Sequence, residues 1–194
     1  MARTKEFDRD EAVRRAMQVF WEQGYEATST DDLLRAMGIG RQSMYDTFGD
    51  KHGLYLEALR AYQAEYSANL VECLRSHPSP LGAIREFLLS IPNGTQKARA
   101  RGCLSVNATA ELASTDPDVD TLLKSGGALG QAALERVVKE AQRKGELSPK
   151  LDARVAASFL LATIGGLRLS AKAGTPPEAL RDVVDFALAG LKAR

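Results

Sequence analysis

The run TSTDDLLRAMGIGRQSMYDTFGDKHGL, residues 28–54, admits few folds. It reads as two short helices joined by a tight turn, with a third helix opening at Asp50. The first spans residues 30–37, where Leu33, Leu34 and Met37 recur at the spacing of one helix face. Thr28 or Ser29 can cap it, because a hydroxyl accepts from the free N–H groups of a first turn. Ser29-x-x-Asp32 has the shape of a capping box. Gly38 stops the helix, since glycine takes the left-handed conformation without a Cβ penalty. The second helix spans residues 41–48. Met44 and Phe48 point inward, which turns Arg41, Gln42, Ser43, Tyr45 and Thr47 outward.

That outward face carries recognition chemistry. A guanidinium such as Arg41 pairs bidentately with guanine, and an amide such as Gln42 with adenine. The hydroxyls of Ser43, Tyr45 and Thr47 suit phosphates. Lys51 lies where a helix begins, so its ammonium and the positive helix end make an anion site; otherwise it is a solvated lysine. Tyr45 is either a phosphate contact or a core aromatic with its hydroxyl at the surface. Thr28 is either a plain cap or a cap that also touches phosphate. Two helices joined by a Gly-containing turn, the second with such a face, form a helix-turn-helix.

On these residues the chain resembles the DNA-binding domain of the TetR family of bacterial transcriptional repressors. The match includes Thr28-Ser29, the turn Gly38-Ile39-Gly40, Ser43-Met44-Tyr45, Phe48 and Lys51. It reaches back through Ala16, Phe20, Gly24 and Tyr25. The resemblance implies an all-α protein with a three-helix helix-turn-helix head over residues 1–49 and a C-terminal helical bundle over residues 50–194. It implies that the bundle binds ligand and dimerises through the last two helices. It further implies a homodimer that binds a palindromic double-stranded DNA operator and is released by a small-molecule effector. It favours DNA contact for Tyr45. The C-terminal domains of the family diverge widely, so no effector is implied.

Composition narrows the rest. A hydrophobic content of 44% is enough for a buried core. There is no apolar run of membrane-spanning length and no signal-peptide core at the start, so a cytoplasmic protein with no membrane partner is expected. Cys73 and Cys103 are too far apart in sequence for a disulfide framework. His52 and His77 are too few for a metal site, and neither metal nor cofactor is expected. No phosphate-binding Gly loop, nucleophile elbow or metal-ligand spacing points to an enzyme. A helical protein-interaction adaptor explains apolar C-terminal helices but not the polar face at residues 41–47. The head itself is acidic, with 8 Lys and Arg against 10 Asp and Glu in residues 1–52. A DNA-binding head is usually basic. Arg3, Lys5, Arg41 and Lys51 on one face would resolve this, with Asp31, Asp32 and Asp46 left near the DNA.

Apolar periodicity predicts about nine helices, over residues 8–23, 30–37, 41–48, 50–75, 80–91, 103–113, 117–144, 151–173 and 176–192. The polar run before Gly102 reads as a surface loop. Gly126-Gly127 marks a kink or a close packing point, and Gly165-Gly166 permits close approach of helix backbones. The last two helices hold more apolar positions than one buried stripe needs. They form an interface or a fully buried centre, and the resemblance favours the interface.

Tyr62, Tyr66 and Phe87 line an apolar pocket or are ordinary core. Cys103 falls at a helix N-terminus after Arg99 and Arg101, features that favour a reactive thiolate. It is a sensor of oxidant or electrophile on one reading and an inert buried thiol on the other. Asn107 and Glu111 follow on the same helix face, where a ligand or solvent would satisfy them. With a net charge of +1, a neutral organic effector is expected.

Overall fold

A computed structural model describes residues 7–191 and contains ten helices. The head comprises α1 (Arg9–Gln23), α2 (Thr30–Met37) and α3 (Arg41–Phe48). Asp8 caps α1, its carboxylate accepting from the Glu11 N–H. Ser29 caps α2 in a complete capping box with Asp32, and Gly38 closes the helix at φ 70°. The Glu11 side chain completes no box; it holds Arg14 and Arg15 instead.

The body comprises α4 (Lys51–Ser76), α5 (Pro80–Leu89), α6 (Gln96–Arg101), α7 (Leu104–Glu111), α8 (Pro117–Arg143), α9 (Ala153–Lys172) and α10 (Pro177–Ala189). The helix beyond the expected nine is α6, in the stretch read as a loop. Its sequence QKARAR buries nothing, and no apolar period marks it. Long-range contacts to α1 hold it: Arg101 bonds Gln18 at 2.6 Å and Lys97 reaches Glu22 at 3.3 Å.

Two apolar cores form. One gathers the inner faces of α1, α2 and α3 with Leu54, Tyr55, Ala58, Leu59 and Tyr62 of α4, and takes in Cys103, Leu104, Ala108 and Leu112 around α7. The other fills the bundle of α5, α8, α9 and α10 and receives Leu70 and Leu74 from the far end of α4. Helix α4 therefore runs through both, with 26 residues spanning roughly 39 Å. Tyr66 packs against both cores.

Helix α8 is unbroken at Gly126-Gly127, so the pair marks no kink; Gly126 is closely packed, while a Cβ on Gly127 would meet nothing within 4 Å. A Cβ on Gly126 would meet the Gln63 side chain at 2.7 Å. At Gly165 and Gly166 a Cβ would meet nothing within 4 Å in the protomer. Helix α9 is long and apolar enough, by length and composition, to cross a membrane, contrary to the expectation from the sequence. In the fold it packs against α8, α6 and α10.

Candidate functional site

Helix α3 presents its polar face as expected. Met44 and Phe48 are buried, Arg41, Gln42, Ser43 and Tyr45 are exposed, and Thr47 is half-buried. Tyr45 thus stands outside the core, at 41% exposure. The acids near this face have partners. Arg41 pairs with Asp31 at 2.5 Å, and Gln42 donates to Asp46 at 2.7 Å. Both pairs are exposed, and exposed pairs contribute little, so DNA can replace them. Lys51 opens α4 with its Nζ 4.3 Å from the centre of the Tyr25 ring. Arg3 and Lys5, expected on the same face, lie outside the described residues.

Thr28 is corrected. It is 1% exposed, and its hydroxyl donates to the Gly24 carbonyl at 2.5 Å. The hydroxyl is committed to the turn that ends α1, and Ser29 alone caps α2. Thr28 has no free group on the outer face.

The body joins the head through α6 and α7. The Glu111 carboxylate, at the end of α7, accepts from the backbone N–H groups of Tyr25 at 3.0 Å and Glu26 at 2.8 Å. Trp21 donates from its indole to the Gly102 carbonyl at 3.2 Å, and the Arg101 guanidinium lies 3.5 Å from the Trp21 ring centre. His52, next to Lys51, meets Asp116 at 2.7 Å. Burial opposes the charge on Asp116, but the Val119 N–H and His52 hold its carboxyl below the ordinary range. Asp118 is close enough to complete a three-ligand cluster with this pair. Asp116 already caps α8 through its other oxygen, so the arrangement acts as a helix cap hydrogen-bonded to the His52 ring.

A cavity of about 210 Å³ opens between α4, α7, α8 and α9. Tyr66 and Cys103 of the expected set line it. Tyr62 stands just behind, its hydroxyl donating to the Cys103 sulfur at 3.2 Å. Burial pushes the Tyr62 and Tyr66 phenols up, so both stay neutral donors. Phe87 is buried in the bundle core and reaches the cavity only through Tyr66, with ring centres 6.1 Å apart. Asn107, expected in the pocket, is not in the cavity wall: its oxygen accepts from Lys172 at 2.8 Å and its amide donates to the Arg101 carbonyl at 3.3 Å. Glu111 is likewise satisfied by the head.

The two arginines expected beside Cys103 are engaged elsewhere. Arg99 points to the Pro92 and Gly94 carbonyls, and Arg101 to Trp21 and Gln18. The cation that shares the cavity with Cys103 is Arg168 on α9, which sequence reasoning does not single out. A lone arginine in the apolar run GGLRL is its one signal. The expectation of a neutral effector rests on net charge, which does not register one guanidinium in a cavity wall.

An exposed reading helix on a three-helix head, fixed to an all-α body with its own cavity, defines a helix-turn-helix transcriptional regulator. The family described as "Bacterial regulatory proteins, tetR family" matches residues 13–58, and "Tetracyclin repressor-like, C-terminal domain" matches residues 80–187. The chain belongs to the TetR family of DNA-binding transcriptional regulators. It is 32% identical to the HTH-type transcriptional repressor ComR of Escherichia coli (strain K12), over 96% of this chain and 90% of that one. It is 34% identical to the regulator YezE of Bacillus subtilis (strain 168), over 98% and 100%. A solved structure of the TetR family regulator CifR, a cysteine mutant complexed with 26-bp double-strand operator DNA, superposes with a TM-score of 0.83. It is 30% identical, over 98% of this chain and all of that one.

Proposed function

We propose that the protein is a cytoplasmic homodimeric repressor that binds a palindromic operator and releases it when a small molecule enters the body cavity. Residues 1–49 serve as the reading head and residues 50–194 as the ligand-binding and dimerising body. Arg41 and Gln42 read base edges, while Ser43, Tyr45, Thr47 and Lys51 hold phosphates. The operator complex of CifR and the repressor activity named for ComR support this direction of control.

The dimer forms through α9 and α10. Val155, Phe159, Val183 and Phe186 are exposed along these helices, Phe186 at 84%. Apolar surface of this kind marks an interface. The open space over Gly166 leaves room for a partner backbone.

The observation that carries the mechanism is the double role of α7. Its first turns, with Cys103, Ser105 and Val106, wall the cavity. Its last residue, Glu111, grips the head at Tyr25 and Glu26. A ligand that binds better to one position of α7 therefore shifts the heads, and it acts only through that difference in affinity. Heads of a dimer must match half-sites set by the DNA repeat, so a small change in their separation weakens binding.

Selection of bound duplexes from a random-sequence pool tests this reading. An inverted repeat, with each half-site altered at one position by Arg41→Ala, is the expected outcome. A pool that never enriches a two-fold symmetric sequence refutes it.

Cys103 supports a second reading, in which oxidant or electrophile entering the cavity modifies its thiol. Its place in the cavity wall favours this. Operator release by peroxide or a soft electrophile in wild type, abolished in Cys103→Ser, is the expected result; equal release in both proteins assigns Cys103 a structural role.

A further inference from the structure

The cavity is apolar over most of its wall, with Leu70, Val106, Leu123, Leu161 and Ile164 facing inward. Among the described residues that line it, Arg168 is the one charged side chain, and no carboxylate accompanies it. The Arg168 guanidinium sits 5.0 Å from the Tyr66 ring centre. Its Nε is shut off from solvent and has no hydrogen-bond partner. Arg168 also borders a smaller cleft on its other side, where Arg99 is the second cation and again no acid lines the wall. The Tyr66 hydroxyl and ring offset part of the hydration the guanidinium loses, and an anion in the cavity would offset the rest. The planar fork of arginine fits a carboxylate through two parallel hydrogen bonds.

We propose that the cavity selects a small organic carboxylate, with the acid group on Arg168 and the apolar body against α7 and α8. Gly126, Gly127 and Gly130 give that body its space, since a larger residue at these positions would project into the wall. The proposal rests on the reading of the cavity as the effector site, and it replaces a neutral effector with an anionic one.

The test uses matched probes on the full-length protein at neutral pH: phenylacetate and hexanoate against phenylacetamide and hexanamide. Calorimetry reads affinity without DNA, and a thermal melt reads stabilisation. The acids should bind about 10- to 100-fold more tightly than their amides, because an amide cannot form the charge-assisted pair with a guanidinium. Arg168→Gln should abolish the preference, and Arg168→Lys should keep part of it because it keeps the charge but not the fork. Without ligand, Arg168→Gln should melt at the wild-type temperature or above, since it removes a cation that lacks an anion. Equal binding of acid and amide, no binding of either acid, or a collapse of the unliganded melt in Arg168→Gln overturns the proposal. Acids that bind through Arg168 but leave operator complexes intact preserve the ligand class and refute the effector reading instead.

Discussion

The outer face of α3 and the cavity of the body are built in opposite ways. The α3 face is a row of adjacent groups, of which Arg41 and Gln42 are held by exposed partners, Asp31 and Asp46. The cavity gathers residues that lie far apart in the chain, Tyr66, Cys103, Gly130 and Arg168 among them. The face can do without one group and keep most of its affinity, because phosphate contacts contribute many small, salt-dependent increments. The cavity holds one charged group in an apolar wall, so one substitution there changes what it accepts. Recognition of a long polymer and of a small molecule thus place different demands on the same helical fold.

The comparison breaks first if the two heads do not act together. Phe159→Asp with Phe186→Asp should give a monomer in sedimentation and lower operator affinity by about 100-fold or more, the scale of bivalent binding. A wild-type monomer at micromolar concentration would remove the paired-head description altogether. Next in size is Arg41→Ala, which should cost about 1–3 kcal/mol at one operator position and relax the base preference there. Uniform weakening on every sequence would make Arg41 a phosphate contact. Glu111→Ala leaves the Tyr25 and Glu26 N–H groups without their carboxylate. Because the site is partly open to water, a loss of about 1–2 kcal/mol in a urea melt is expected. The sharper readout is coupling: ligand should still bind in this variant yet release the operator less well. The smallest effects belong to Lys51→Ala and Tyr45→Phe. Lys51→Ala should reduce the slope of log affinity against log salt by about one, and Tyr45→Phe should weaken binding without changing base preference.

Legibility in the sequence follows the same division. The cap at Ser29, the stop at Gly38 and the outward side chains of α3 obey rules that act within one or two turns, so their order in the chain reveals them. Thr28 shows the limit: a hydroxyl beside a helix start can face either way, and here the carbonyl four residues earlier takes it. Helix α6 carries no apolar stripe, because its anchors are Gln18, Trp21 and Glu22, about eighty residues earlier in the chain. Asn107 reads as a ligand group in the sequence because its partner, Lys172, stands at the end of another helix. Arg168 is hidden by its own neighbours, since an apolar helix draws attention to its buried face. The resemblance implies a division of the chain near residue 49, whereas the apolar core of α1–α3 continues into α4 and α7.

Trp21 is the one tryptophan in the chain. It lies at the seam, under Arg101, with its ring 4.7 Å from that of Tyr62. Tyr62 in turn stacks on Tyr66 in the cavity wall. The protein therefore carries an intrinsic optical probe where its two working parts meet. A shift of α6 or α7 alters the cation over the indole and the water around it, and with them its emission. Head docking becomes visible in real time without a label, in the free protein and on DNA alike.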